Sequence, residues 1–121
     1  MLSIGGSTTR VYLAVGATDM RKGFDGLAGL VKSQLESDPT SGHLFVFCNA
    51  GRTRLKLIYF DGSGYWLCAK RLERGRFEWP QEVGEEKRIA LSGTELAALV
   101  DGLELTQTRA RRWWRKKVEG K

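Results

Sequence analysis

The chain has 121 residues, of which 41% are hydrophobic and 28% charged, and its formal net charge is +6 at pH 7. That length and balance fit one globular domain with one core and exclude wholesale disorder. No apolar run approaches the roughly 20 residues that cross a bilayer, and MLSIGG at the start lacks a charged region followed by an apolar one, so a cytoplasmic protein without membrane attachment is expected.

In chain order, residues 9–15 (TRVYLAV) alternate between polar and apolar and read as a first strand. Thr18 or Asp19 then caps a helix in which Met20, Phe24, Leu27, Val31 and Leu35 form one apolar stripe, ending near Ser37 before Pro39. Gly23, Gly26 and Gly29 recur along it, each costing up to ~1 kcal/mol against alanine. Close packing of that glycine ridge on the sheet would offset the cost, a partner helix or a phosphate backbone being the other candidates. Arg21 and Lys22 at the helix start form a secondary anion-binding candidate.

Residues 43–48 (HLFVFC) are almost continuously apolar, as in a central strand buried on both faces. Residues 54–60, 65–72 and 76–79, separated by Asp61-Gly62-Ser63-Gly64 and Arg74-Gly75, predict a three-stranded antiparallel meander. Alternation assigns its side chains to two faces. Leu55, Leu57, Tyr59, Trp66, Cys68, Leu72, Phe77 and Trp79 make a core face with Lys70 as its only charge. The other face interleaves Arg54, Lys56, Arg71 and Arg76 with Phe60 and Tyr65, among Ile58, Leu67, Ala69, Glu73 and Glu78. Cations among rings suit phosphate contact and base stacking, while an ordinary solvated face would pair Glu73 with Arg76 and Glu78 with Arg71.

Residues 81–86 read as an acidic loop and residues 88–91 as a short strand. Ser92 and Glu95 have capping-box spacing before a short helix carrying Leu96, Leu99, Val100 and Leu103. Residues 1–105 hold 13 basic and 13 acidic residues and form the expected single domain; residues 106–121 hold 7 and 1 and form a basic tail. Within the tail, Trp113 and Trp114 lie among Arg109, Arg111, Arg112, Arg115, Lys116 and Lys117, which are candidates for base stacking and phosphate contact. Cys48 and Cys68 fall in strands, where buried reduced thiols are expected, and His43 is the single histidine, so no zinc-type cluster can form. Asp19, Asp25 and Asp61 are the carboxylates a metal-dependent nuclease would use, but Asp19 reads as a cap and Asp61 as a turn residue. No enzyme, cofactor, metal or small-molecule substrate is therefore expected.

TDMRKGFDGLAGLV (18–31), SGHLFVF (41–47), RLKLIYFDGSGYWLCAKRLERGRFEWP (54–80) and IALSGTELAALVDGL (89–103) together resemble the small TnpB-type accessory proteins of the insertion-sequence 66 family of bacterial transposons. The likeness implies a role in DNA transposition beside a separate catalytic transposase, by contact with the element's DNA or with that transposase. It brings no catalytic residues; Asp19, Arg21, Lys22 and Gly23, and Lys70, Arg71, Arg74, Gly75 and Arg76, are the motif positions that match.

The sequence thus predicts an α+β domain: an antiparallel sheet of about five strands with a central meander, one long helix on its core face and a short C-terminal helix. The expected function is non-catalytic nucleic-acid binding through Arg54, Lys56, Lys70, Arg71, Arg74, Arg76 and the tail. The alternative is a protein-interaction module that docks the glycine ridge and Ile58, Leu67, Phe60 and Tyr65 on the transposase without touching DNA.

Overall fold

The computed structural model describes residues 9–80 and 84–101; the tail residues Arg109, Arg111, Arg112, Trp113, Trp114, Arg115, Lys116 and Lys117, and Leu103 of the second helix, lie outside the described residues. The element order is β1 (Val11–Ala17), α1 (Phe24–Ser33), β2 (Leu44–Cys48), β3 (Arg54–Phe60), β4 (Tyr65–Arg71), β5 (Arg88–Leu91) and α2 (Gly93–Asp101). The five strands form one sheet in the order β4-β3-β2-β1-β5.

The sheet is mixed, not antiparallel as expected from sequence. β1 and β2 run parallel, Val11 beside Leu44 and Leu13 beside Val46, while the other three pairings are antiparallel. Parallel neighbours require a crossover, and α1 supplies it. β2 lies at the centre with all five side chains buried, as its apolar run predicts.

The helix is shorter than its apolar stripe. α1 has ten residues, and residues 18–23 form a turn before it. Thr18 N–H still bonds the Cys48 carbonyl at 2.8 Å, so the strand edge holds this segment until after Ala17. Asp19 does not cap the helix: its carboxylate accepts from the Arg21 N–H at 2.9 Å and from the Arg21 guanidinium, closing a local turn. Gly23 takes the N-cap position without a side-chain bond.

Both faces of the sheet are covered. On one, Leu27, Val31 and Leu35 of α1 pack with Ala14, Phe45, Phe47 and Ile58, flanked by Met20, Tyr12, Tyr65 and Leu67. On the other, Leu96 and Leu99 of α2 and Phe77 pack with Val11, Leu13, Leu44, Val46, Cys48, Leu55 and Leu57. Side-chain alternation along β3 is as predicted, but α1 sits on the face expected to be outer and basic. The face expected to be core is closed instead by α2 and residues 77–79. Trp66 and Cys68, assigned to that core, are exposed, because β4 is the edge strand.

Residues 76–79 do not form the third meander strand. After Leu72 N–H bonds the Thr53 carbonyl, the chain turns at Gly75 (φ 73°) and Phe77 N–H bonds the Arg52 carbonyl. The segment then crosses the sheet, and the Trp79 indole N–H donates to the Ala14 carbonyl at 2.9 Å. Burying Phe77 and anchoring Trp79 there outweighs a ladder beside β4; a buried aromatic of this size contributes ~2 to 3 kcal/mol. The capping box of α2 is formed as expected: Ser92 N–H donates to Glu95 Oε1 and Glu95 N–H to Ser92 Oγ.

The glycine ridge of α1 does not pack on the sheet. A Cβ at Gly23 or Gly29 would meet nothing, and at Gly26 only the Lys22 side chain. Gly29→Ala should therefore raise stability by about 0.5 to 1 kcal/mol, seen as a higher urea midpoint with an unchanged slope.

The β3–β4 hairpin is held by Asp61, which accepts from Ser63 N–H, Gly64 N–H and the Trp66 indole. These bonds, the Ser63 N–H foremost, lower its pKa to about 2. A depressed carboxylate stabilises the folded state above its unfolded pKa and loses that contribution as pH falls through the folded value. The Trp66 indole N–H resonance should accordingly titrate with a midpoint near pH 2; a midpoint near 4 would show that the bonds are not formed in solution.

Candidate functional site

The strand directions decide what gathers at each end of the sheet. β1 and β2 are parallel and both finish at one end; β3 starts there, and β4 finishes there. Residues 18–23, 49–53 and 72–76 are therefore brought together. Arg21 and Lys22 come from the first, Arg52 from the second, Arg74 and Arg76 from the third, and Arg54 and Arg71 from the strand ends. Asp19 and Glu73 are the acidic residues among them.

Arg54 lies directly opposite Arg71 in the β3–β4 register. Two like charges facing each other across a ladder destabilise it. Arg71 is relieved by Glu73, whose Oε2 is 3.1 Å from its Nη2, but the pair is well exposed and so contributes at most ~1 kcal/mol. The observed partner is Glu73, not Glu78. Arg54, Arg74 and Arg76 are exposed and have no carboxylate partner among the described residues. Below them a shallow open depression of about 440 Å³ is lined by Met20, Arg54, Leu55, Lys56, Ala69, Lys70, Arg71 and Glu73.

Other cations are committed to the fold. Lys56 is half-buried and donates from Nζ to the Lys22 carbonyl at 2.9 Å, fastening the 18–23 turn to β3. Lys70, on the opposite face, donates to the Val100 carbonyl at 2.7 Å. That bond ties β4 to the last described turn of α2, where a cation is favourably placed against carbonyl groups. Arg21 is held by Asp19 at 2.8 Å; the Arg21 guanidinium is the main reason the Asp19 pKa drops to about 2. Arg52 lies over the Trp79 ring, 5.6 Å from its centre.

Phe60 and Tyr65 lie at the opposite, hairpin end, where their rings meet edge to face at 5.1 Å. They are about 20 Å along the strand from Arg54 and Arg71. The cation–aromatic interleaving expected on one patch is thus divided between the two ends. Another depression, near the end of α1, mixes Glu36, Glu85 and Glu86 with Lys87 and Arg88 and does not suit a polyanion. Among the described residues no group of three or more His, Cys, Asp or Glu side chains converges to hold a metal ion, and no helix is long and apolar enough to cross a membrane. Cys48 is buried, and desolvation pushes its thiol pKa up; Cys68, expected to be buried too, is exposed.

Sequence reasoning missed Asn49. Its Oδ1 accepts from Thr53 N–H at 2.9 Å and Arg54 N–H at 3.1 Å, and its carbonyl accepts from Arg52 N–H. This fixes the 49–53 turn, with Arg52 in the left-handed region (φ 61°), and so fixes where Arg54 begins. An asparagine just after a buried strand is the available signal.

The arrangement is that of a small α+β domain whose distinguishing feature is a cationic sheet end, not an enclosed pocket. The family model for IS66 Orf2-like proteins matches residues 9–110. The chain belongs to that family, which places it among transposition-associated accessory proteins. It is 44% identical over 99 residues to the uncharacterized protein y4hO of Sinorhizobium fredii, covering 82% of this chain and 84% of that one. The uncharacterized protein y4jC of the same organism is 39% identical over 100 residues, covering 83% and 84%. No solved structure matches the chain.

Asn49→Ala should cost about 1 to 2 kcal/mol, because Thr53 and Arg54 lose their acceptor, while Asn49→Asp, which keeps it, should cost much less. Thermal unfolding of the two variants checks this.

Proposed function

We propose that this protein is a non-catalytic accessory component of transposition that grips DNA phosphates with the cationic end of its sheet. The observation that carries the reading is Arg54 facing Arg71 at an end where Arg54, Arg74 and Arg76 lack carboxylate partners among the described residues. An anion between the two guanidiniums converts their repulsion into a pair of charge-assisted hydrogen bonds. Arg74 and Arg76 extend the contact along a phosphate backbone, and Lys22 adds charge on the α1 side. Lys56 and Lys70 support the surface rather than form it. The tail cations Arg109, Arg111, Arg112, Arg115, Lys116 and Lys117 add a second phosphate-binding segment, with Trp113 and Trp114 available to stack on unpaired bases. The transposase is the protein partner that family membership suggests. Of the apolar residues that such docking would use, Ile58 is buried, while Tyr65 and Leu67 are partly buried against the same core and Gly23 and Gly29 stay open.

Contacts of this kind carry position, not sequence, and make affinity fall with salt. Fluorescence anisotropy with labelled duplex and single-stranded DNA should show about a thousandfold loss between 50 and 200 mM salt for the full chain. The chain ending at Leu105 should keep measurable affinity, and Arg54→Ala with Arg71→Ala in that shorter chain should lower the slope of log affinity against log salt by about two. A flat salt response, or an unchanged slope in the double variant, overturns the assignment of this end.

A further inference from the structure

The hydrogen bonds at the two ends of the β3–β4 pair establish which backbone groups of β4 are used. Asp61 N–H bonds the Gly64 carbonyl at 3.0 Å and Leu72 N–H bonds the Thr53 carbonyl at 2.8 Å. In the intervening antiparallel register the bonded pairs are therefore Tyr59 with Trp66, Leu57 with Cys68 and Leu55 with Lys70. The N–H and C=O groups of Tyr65, Leu67, Ala69 and Arg71 point away from the sheet, and no described strand lies beyond them. β3 confirms the phase: Asn49 N–H bonds the Arg54 carbonyl on its other side.

A seven-residue edge left open is a template for another strand, and sheet edges are ordinarily blunted by shortness or charge. β5, the opposite edge, has four residues and begins with Arg88 after Lys87. β4 carries no charge from Tyr65 to Ala69, and Trp66 is 50% exposed. Its two cations, at one end, are drawn aside to the Val100 carbonyl and to Glu73.

We propose that β4 is a dimerisation edge: two copies of this chain pair their Tyr65–Arg71 strands antiparallel about a two-fold axis at Cys68, joining both sheets into one. The strand's own pattern selects a second copy as the occupant. Full-length symmetric pairing places Tyr65 opposite Arg71, Trp66 opposite Lys70 and Leu67 opposite Ala69 of the other copy. Each cationic position stands opposite an aromatic one, and no like charges are paired. The outward groups of residues 65, 67, 69 and 71 then exchange on the order of eight backbone hydrogen bonds. Cys68, whose own N–H and C=O point inward, falls on the axis as a non-bonded pair with Cα atoms about 4.5 Å apart, inside the range a disulfide spans. The proposal does not depend on the nucleic-acid reading.

Sedimentation equilibrium of the full chain, nuclease-treated, reduced and in about 0.5 M salt so that polyanions do not bridge copies, should give twice the chain mass at micromolar concentration. Ala69→Pro removes an outward donor at an exposed position and leaves the β3 ladder intact; it should raise the dimer dissociation constant at least tenfold with an unchanged circular dichroism spectrum. Diamide, which takes up the two electrons and two protons released by two thiols, should yield a covalent dimer in wild type and none in Cys68→Ser. Should Ala69→Pro fail to fold, hydrogen exchange of wild type replaces it: the Leu67 and Ala69 amides should gain protection as concentration rises. A chain monomeric at all concentrations, a dimer that survives Ala69→Pro, a wild type that gives no Cys68 cross-link, or Leu67 and Ala69 amides indifferent to concentration overturns the proposal.

Discussion

Parallel pairing of β1 with β2 is the constraint from which the rest of the molecule follows. A parallel neighbour cannot be reached by a tight turn, so the chain must leave the sheet, cross a face as α1 and return. That crossing commits one face to the helix and buries β2 on both sides. It also sends the ends of β1 and β2 to the same end of the sheet. Antiparallel β3 and β4 then place their basic start and finish at that end. The cationic end is thus a consequence of topology acting on ordinary strand-terminal arginines.

Local alternation made much of this legible. The buried run of β2, the β3–β4 hairpin, the capping box at Ser92 and the bounds of β5 can all be read from neighbouring residues. What could not be read depends on residues far apart in sequence. Strand period alone does not decide whether α1 covers the face of Ile58 or that of Leu55 and Leu57, because the face bearing Arg54 and Lys56 also carries Ile58 and Phe60. The crossing of residues 77–79 depends on the Trp79 indole reaching the Ala14 carbonyl, 65 positions away. A strand and a crossing segment share the same alternating letters, so RGRFEWP read as a third strand.

The same nonlocal contacts sorted the predicted cations. By sequence, Lys56 and Lys70 are equivalent to Arg54 and Arg71. In the fold, both lysines reach backbone carbonyls, one in the 18–23 turn and one in α2. The arginines stand beside them with nitrogen donors to spare. A lysine offers a compact point charge, well suited to one carbonyl, whereas a guanidinium at a site such as this presents five donors and keeps several after one carboxylate is engaged. Among these four cations the division between positioning and presenting follows residue type, and the Arg71–Glu73 pair is exposed.

Arg71 stands where two demands on the structure meet. It ends the open edge of β4 and also belongs to the cationic cluster, so its charge acts on both. At the end of an otherwise neutral strand it penalises every parallel or shifted pairing that would stack cation on cation, while the symmetric antiparallel pairing sets it against Tyr65. That arrangement separates the Arg71 residues of two copies by about 20 Å and points their basic ends in opposite directions. Two copies joined in this way would present two cationic ends instead of one enlarged patch. A single edge charge thereby links how copies associate to how far apart their cationic ends lie.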